Sequence, residues 1–314
     1  MRAAVITAPH TDPVYTDFPE PAPLPGRDLL DLVGSGIHQV VRSLASGRHY
    51  GSEQSYPLVP GVDAVARTAD GRMVYTGWPR APWGTMAERL ATPIGIELPA
   101  GADPLAVAAG MNPALSGWLP LAARLEETGR LGTVLVLGAT GMAGRMAVQE
   151  AFTLGADHVI AAGRDAGALA DLATLGATAV SIADSGEALA SAVVAATPSL
   201  VLDYVWGPVA EIAFAALGRR GLHDDDADIS YVQIGALGGP DAAVPSTLLR
   251  SRRIRLTGSG AGSLSTERMM AEIPRVIGLI AAGTLDAPYA AYPLARVSAA
   301  WAHTGRERAV VTPE

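Results

Sequence analysis

Three glycines at intervals of three, Gly138, Gly141 and Gly144, are the residues whose type and spacing point most directly to chemistry. They follow an apolar run at 133–137 and open a helical pattern at 143–154. Strand, tight turn and helix in that order make a dinucleotide-binding unit. The first glycine permits the turn, the second lets backbone approach a pyrophosphate, and the third lets the helix pack on the strand. Free N–H groups at the helix start would hold the pyrophosphate, so Gly138, Thr140, Gly141, Met142 and Ala143 form the expected loop contacts. Glycine spacing alone is a weak signal; the second apolar run, His158-Val-Ile-Ala-Ala162, strengthens it. It ends in Gly163, Arg164 and Asp165, where the adenosine ribose is read.

That ending bears on the cofactor. An NAD site favours a carboxylate at the end of the second strand. Here Gly163 stands there, and the Arg164 guanidinium suits a 2′-phosphate through charge-assisted bonds. Asp165 either reaches the ribose, which favours NAD, or caps the next helix, a role aspartate suits. The cap is preferred, and the expected cofactor is NADP, as NADPH.

The elements that must position these groups follow in order. Residues 1–110 are rich in proline and glycine, with short β-type runs at 3–6, 29–33, 63–68, 73–76 and 86–91 and a helical turn at 39–45. Helical spacing begins near 103 and runs through 104–111. Pro113 suits the first turn of a second helix at 114–125. From 133 the pattern alternates as a doubly wound sheet does, with strands near 133–137, 158–162, 178–182, 200–204, 231–235 and 253–257. Helices are expected near 143–154, 166–175, 186–196 and 207–217, and a solvated loop at 218–228. An amphipathic helix is expected at 265–283 with Pro274 kinking or breaking it, then a tail at 290–313 returning to the first domain. The expected organisation is a compact, irregular β domain of residues 1–110 completed by 264–314, and a Rossmann NADP-binding domain of residues 111–263.

Composition narrows the function. The chain has 314 residues, 49% of them apolar and 17% charged, with a formal charge of -8. That charge argues against a nucleic-acid surface, and no apolar stretch reaches the roughly 20 residues of a membrane span. The first residues read as a strand rather than a signal peptide, so a cytoplasmic location is expected. Cysteine is absent, which excludes disulfides and thiolate zinc sites. Lysine is absent too. A P-loop lysine, a Schiff base and a Tyr-x-x-x-Lys pair are therefore impossible.

Taken together the chain resembles the medium-chain dehydrogenase/reductase superfamily, in its zinc-independent quinone oxidoreductase (zeta-crystallin-like) family. The resemblance rests on Met1-Arg-Ala-Ala-Val5, Ser35-Gly-Ile-His-Gln-Val-Val41, Leu58-Val-Pro-Gly-Val-Asp63, Gly84-Thr-Met-Ala-Glu88, the three glycines, Val201-Leu-Asp-Tyr204 and Val232-Gln-Ile-Gly235. It implies an α/β fold class, a Rossmann doubly wound parallel sheet plus a GroES-like β-rich catalytic domain, with the cofactor in the cleft between them. Two departures matter. His38 and Val62 stand where zinc relatives place ligands, and a tetrahedral zinc needs three or four of them, so no metal is expected. Quinone oxidoreductases usually carry asparagine at the position of His38, beside the nicotinamide.

The resemblance implies a contact set of His38, Asn112, Ser116, Gly235, Ala236, Gly258, Ser259 and Gly260 around the nicotinamide. Gly163, Arg164 and Asp203 lie toward the adenosine half. Asp203 either touches the ribose or caps the next helix. The expected catalytic residues are His38 and Tyr50, the second in a loop that borders the substrate in relatives. His38 either donates to the substrate or packs and bonds locally. Trp78, Trp83 and Trp118 are candidates for an aromatic wall, and Arg42 either meets an anionic substrate or is a solvated surface arginine.

Without metal, cysteine or lysine, hydride transfer to an activated acceptor is the chemistry that remains. The expectation is NADPH-dependent reduction of a quinone or α,β-unsaturated carbonyl, a small-molecule substrate. Alternatives are a biosynthetic enoyl or ketone reductase and a non-catalytic NADPH-binding sensor or crystallin-like protein. The run at 252–257 reads as an edge strand, and the resemblance implies a homodimer formed by pairing such edges.

Overall fold

In the computed structural model, which describes residues 1–53, 55–221, 226–263 and 265–314, the short β-type runs of the first hundred residues build one layered unit. Strands β1 (Arg2–Val5) and β2 (Val14–Asp17) form a hairpin-like pair. Strands β3 (Leu30–Gly36), β4 (Asp63–Arg67) and β5 (Met73–Gly77) lie side by side and antiparallel. The short β6 (Arg89–Leu90) pairs with β3, and β7 (Ile96–Glu97) pairs with β5. Helix α1 (Gln39–Ala45) leaves the end of β3. The expected run at 86–91 is a strand only at β6, with Ala87 forming a single bridge to Ala3.

Helix α2 (Pro104–Thr128) corrects the expectation of two helices. Asp103 Oδ1 accepts from the N–H of Leu105 at 2.9 Å and of Ala106 at 3.3 Å, a start signal of the kind helices need. Pro113 and Pro120 both lie inside the helix. Each removes one i→i−4 bond, but buried apolar side chains, among them Met111, Leu115, Leu119 and Leu121, hold the run together. Packing outweighs a local breaker here.

The second half alternates as expected: β8 (Thr133–Leu137), α3 (Met142–Thr153), β9 (His158–Gly163), α4 (Ala166–Thr174), β10 (Thr178–Ser181), α5 (Glu187–Ala196), β11 (Leu200–Asp203), α6 (Gly207–Leu217), β12 (Ile229–Gln233), α7 (Ser246–Ser251) and β13 (Ile254–Gly258). All six strands are parallel, in the order β10-β9-β8-β11-β12-β13. That is the 3-2-1-4-5-6 order of a Rossmann sheet. Parallel strands covered on both faces read as unbroken apolar runs. Accordingly Val134, Leu135, Val136 and Leu137 are all fully buried, packing alternately into two cores. Strand β12 begins two residues earlier than expected. Ile234 and Gly235 have already turned, both donating to the Asp203 carbonyl. The triple aspartate of the 218–228 loop lies partly outside the described residues.

Helix α8 (Thr266–Ala281) runs through Pro274 without a break, burying Ile273, Val276, Ile277 and Ile280. The tail forms β14 (Tyr289–Pro293), a short 3₁₀ turn (Leu294–Arg296), α9 (Val297–Trp301) and β15 (Arg308–Thr312). It returns to the first unit: β14 pairs with β15, and β15 with β3. Two units result, Met1–Asn112 with Ile273–Glu314, and Pro113–Glu272. The first is GroES-like and the second a Rossmann domain. No helix among the described residues is long and apolar enough to cross a membrane.

Candidate active site

The parallel sheet delivers most of the nucleotide candidates to one edge. Gly138, Gly163 with Arg164, Gly235 and the Gly258–Gly260 turn each stand at or just beyond the carboxyl end of a strand, and open α/β sheets bind ligands outside those ends.

The glycine loop has separable roles. Gly144 is buried, and a β-carbon there would collide with the Gly138 carbonyl and approach Ala139 Cα to 2.7 Å. The third glycine is therefore a packing requirement of the chain itself. Gly144→Ala is expected to destabilise the unit by about 1–3 kcal/mol through overpacking, measured by chemical unfolding; a variant as stable as the parent protein would contradict the steric argument. Gly141 differs. A β-carbon there would meet only the Gly138 carbonyl, at 3.6 Å, and the residue is exposed. Among the described residues no other atom lies within 4 Å of that β-carbon. Gly141 is the N-cap of α3 and offers no side-chain cap, so the N–H groups of the first turn keep their hydrogen-bonding capacity. Open space over uncapped amides at the start of a twelve-residue helix fits a phosphate.

At the end of β9 the Thr140 side chain packs onto Gly163, where a β-carbon would strike it. Asp165 takes the capping alternative, accepting from Ala168 N–H at 2.9 Å at the start of α4. Arg164 is exposed and makes no hydrogen bond or ion pair among the described residues. One cation therefore stands free at the ribose-reading position.

Asp203 is engaged at the turn that leads into α6. It is fully buried, and both carboxylate oxygens are committed within the unit. Oδ1 accepts from Val205 and Trp206 N–H at 2.8 Å each, and Oδ2 from the Tyr231 hydroxyl at 2.6 Å. Burial raises its pKa, and the three bonds oppose that rise. These bonds hold a strained turn, with Trp206 at φ 59°. Through these bonds Asp203 shapes the carboxyl edge of the sheet.

The α2 candidates lie on one helix. Asn112 and Ser116 are half-buried. Ser116 Oγ donates to the Pro113 carbonyl at 2.6 Å and lies 3.3 Å from the Tyr204 hydroxyl. In the β12 loop, Ala236 is exposed, and Gly235 sits so close to the Tyr204 carbonyl that a β-carbon would come within 2.6 Å of it. At the end of β13, a β-carbon on Gly258 would meet nothing within 4 Å. Ser259 N–H bonds the Gln233 carbonyl at 2.8 Å, and Gly260 N–H bonds Ser263 Oγ at 2.9 Å.

In the first unit the two expected catalytic side chains have opposite environments. His38 is 2% exposed and Tyr50 74%. His38 Nε2 lies 3.2 Å from Asp63 Oδ1, an ion-pair distance without the alignment of a hydrogen bond. Asp63 Oδ2 accepts from the Tyr75 hydroxyl at 2.9 Å. Burial lowers the His38 pKa, and Asp63 only partly offsets this. Burial thus disfavours the charged imidazole at this position. Tyr50 rests against His49, ring centroids 4.1 Å apart.

The three tryptophans differ in setting, with Trp78 40% exposed. Trp118 is fully buried and donates to Glu272 at 2.7 Å, and Trp83 donates to the Pro19 carbonyl. No three of His, Cys, Asp and Glu gather into a metal-holding group among the described residues. Two residues escaped the sequence reading. Arg308 donates to the Ile37 carbonyl across 271 positions, a pairing with no local signature. Glu150 lies fully buried on α3 with neither carboxyl oxygen hydrogen-bonded. A charged residue on the inward face of an apolar helix was its signal.

No protein-family model matches the chain. It is 30% identical to a probable NADPH-dependent quinone reductase of Emericella nidulans, over 364 aligned positions covering 100% of both proteins. The quinone oxidoreductase of Thermus thermophilus, solved also with NADPH, is 26% identical. It spans 99% of this chain and 100% of its own, with a TM-score of 0.81. An alcohol dehydrogenase superfamily protein of Novosphingobium aromaticivorans shares the fold, at 22% identity over 100% of both chains and a TM-score of 0.78. With a Rossmann sheet carrying its glycine loop, a GroES-like unit and full-length similarity, the chain is an oxidoreductase and belongs to the quinone oxidoreductase family of the medium-chain dehydrogenase/reductase superfamily.

Proposed function

We propose that the protein is a zinc-independent, NADPH-dependent reductase of a quinone or an α,β-unsaturated carbonyl. The observation that carries the cofactor choice is Arg164: an exposed, unpartnered guanidinium after a strand that ends in glycine, with Asp165 engaged as a helix cap. The names of the relatives point the same way. Gly138, Thr140, Gly141, Met142 and Ala143 would receive the pyrophosphate, and Gly163 and Arg164 the 2′-phosphate. Asn112, Ser116, Gly235, Ala236, Gly258, Ser259 and Gly260 would border the nicotinamide. NADPH supplies a hydride, and an already electrophilic acceptor needs no Lewis acid. In this reading solvent or the exposed Tyr50 hydroxyl supplies the proton, while His38, held beside Asp63, supports the fold of α1. The exposed edge of β13 is the surface proposed for a homodimer.

The cofactor assignment is tested by the dissociation constants of NADPH and NADH for the protein and for Arg164→Ala. A charge-assisted hydrogen bond contributes about 1.5–3 kcal/mol, so the NADPH preference should fall roughly ten- to a hundredfold. An unchanged ratio would remove Arg164 from the phosphate site.

A further inference from the structure

Two arginines of the first unit lie beside the His38 turn without a carboxylate of their own. Arg42, one turn along α1, places its guanidinium 4.8 Å from the centroid of Trp301 and is half-buried. Arg308, on β15, donates from Nη1 to the Ile37 carbonyl at 2.9 Å, and its Nε is buried with no acceptor. Neither arginine forms an ion pair among the described residues. The groups around them do not close the deficit. Asp63 serves Tyr75 and His38 and offsets the lowered Arg308 pKa only in part, and Asp12, near Arg42, is exposed. Burial and the neighbouring Arg42 charge bring the Arg308 pKa down to about 10, and burial lowers that of Arg42. Cations held partly out of water without an ion pair are costly, and a planar guanidinium fork matches an oxyanion.

We propose that Arg42 and Arg308 receive an oxyanion group of the substrate, so that the acceptor reduced by this protein carries a carboxylate or phosphate. The substrate clause rests on the reductase reading above. The anion site itself stands on the unpartnered Arg308 Nε and the Arg42–Trp301 stack.

The test titrates the protein with benzoate, with its neutral counterpart benzamide and with inorganic phosphate, following tryptophan fluorescence and thermal midpoint. Arg42→Gln, Arg308→Lys and Arg164→Ala are run beside it. Saturable benzoate binding is expected, absent with benzamide. It should be weakened about ten- to a hundredfold in Arg42→Gln, the loss of one charge-assisted bond, and be unchanged in Arg164→Ala. Arg308→Lys, which keeps the charge but not the fork, should weaken it less and guards against a folding defect. Phosphate competing with benzoate extends the site to phosphate esters, and phosphate without effect restricts it to carboxylates. Equal binding of benzoate and benzamide, or binding lost in Arg164→Ala and kept in Arg42→Gln, overturns the proposal. NADPH affinity, measured separately on the same samples, shows whether the reductase reading fails on its own.

Discussion

Replacing Glu150 with leucine is expected to make the protein more stable by about 1–3 kcal/mol, the penalty of a buried polar group without a hydrogen bond. Its carboxyl lies between α3 and α2, where Gly117 makes room: a β-carbon there would sit 2.5 Å from Glu150 Oε2 and 3.0 Å from the Tyr204 hydroxyl. Burial alone drives its pKa well above the ordinary carboxyl range, and its charge in turn raises that of Tyr204 after burial. The sign of the pH dependence follows. The folded protein holds the Glu150 proton more tightly than the unfolded chain, so the proton favours folding fully only below the unfolded value of about 4.3. That contribution is lost as pH rises toward the raised folded value, by up to about 1.4 kcal/mol per pH unit. Glu150→Gln should thus gain on the parent protein between pH 5 and pH 8 in chemical unfolding. An advantage that stays flat across that range would mean that Glu150 titrates normally.

The opposite result is expected at Asp203. Asp203→Ala removes the acceptor of two backbone N–H groups and of the Tyr231 hydroxyl, all within a buried turn that holds Trp206 at positive φ. Hydrogen bonds to charged groups contribute about 1.5–3 kcal/mol each and are not additive, so a loss of about 3–5 kcal/mol is expected. Asp203→Asn keeps one oxygen for the backbone donors and should fall between. Equilibrium unfolding of both variants measures this. An alanine variant within 1 kcal/mol or so of the parent would return Asp203 to the ligand-facing residues.

These two residues show where sequence reasoning reaches and where it stops. The core of the Rossmann unit was legible because its signals are local. Thr133–Leu137 and Gly207–Leu217 are bounded by glycine, proline and apolar period, and they fall where expected. So does the Asp165 cap. The long helix was misread because the proline rule is local, while buried side chains along Pro104–Thr128 sustain the run. The surroundings of Asp203 had no local signal, because its partner Tyr231 lies 28 residues away on the next strand. The Arg308 contact with Ile37 spans most of the chain. The residue types at the site could be read, but the environment that decides a role is set by neighbours distant in sequence. That is why His38 and Tyr50, paired in expectation, differ so sharply in exposure.

The central claim is hydride transfer from NADPH to a conjugated acceptor without a metal. The most direct measurement is the oxidation of NADPH and NADH by the purified protein, treated with a chelator, against a panel of quinones and enones with simple alcohols and ketones as controls. The account predicts turnover of quinones or enones with NADPH, a weaker rate with NADH, no loss after chelation and no activity on the controls. Activity that appears only with added zinc, or that favours simple alcohols, would contradict it.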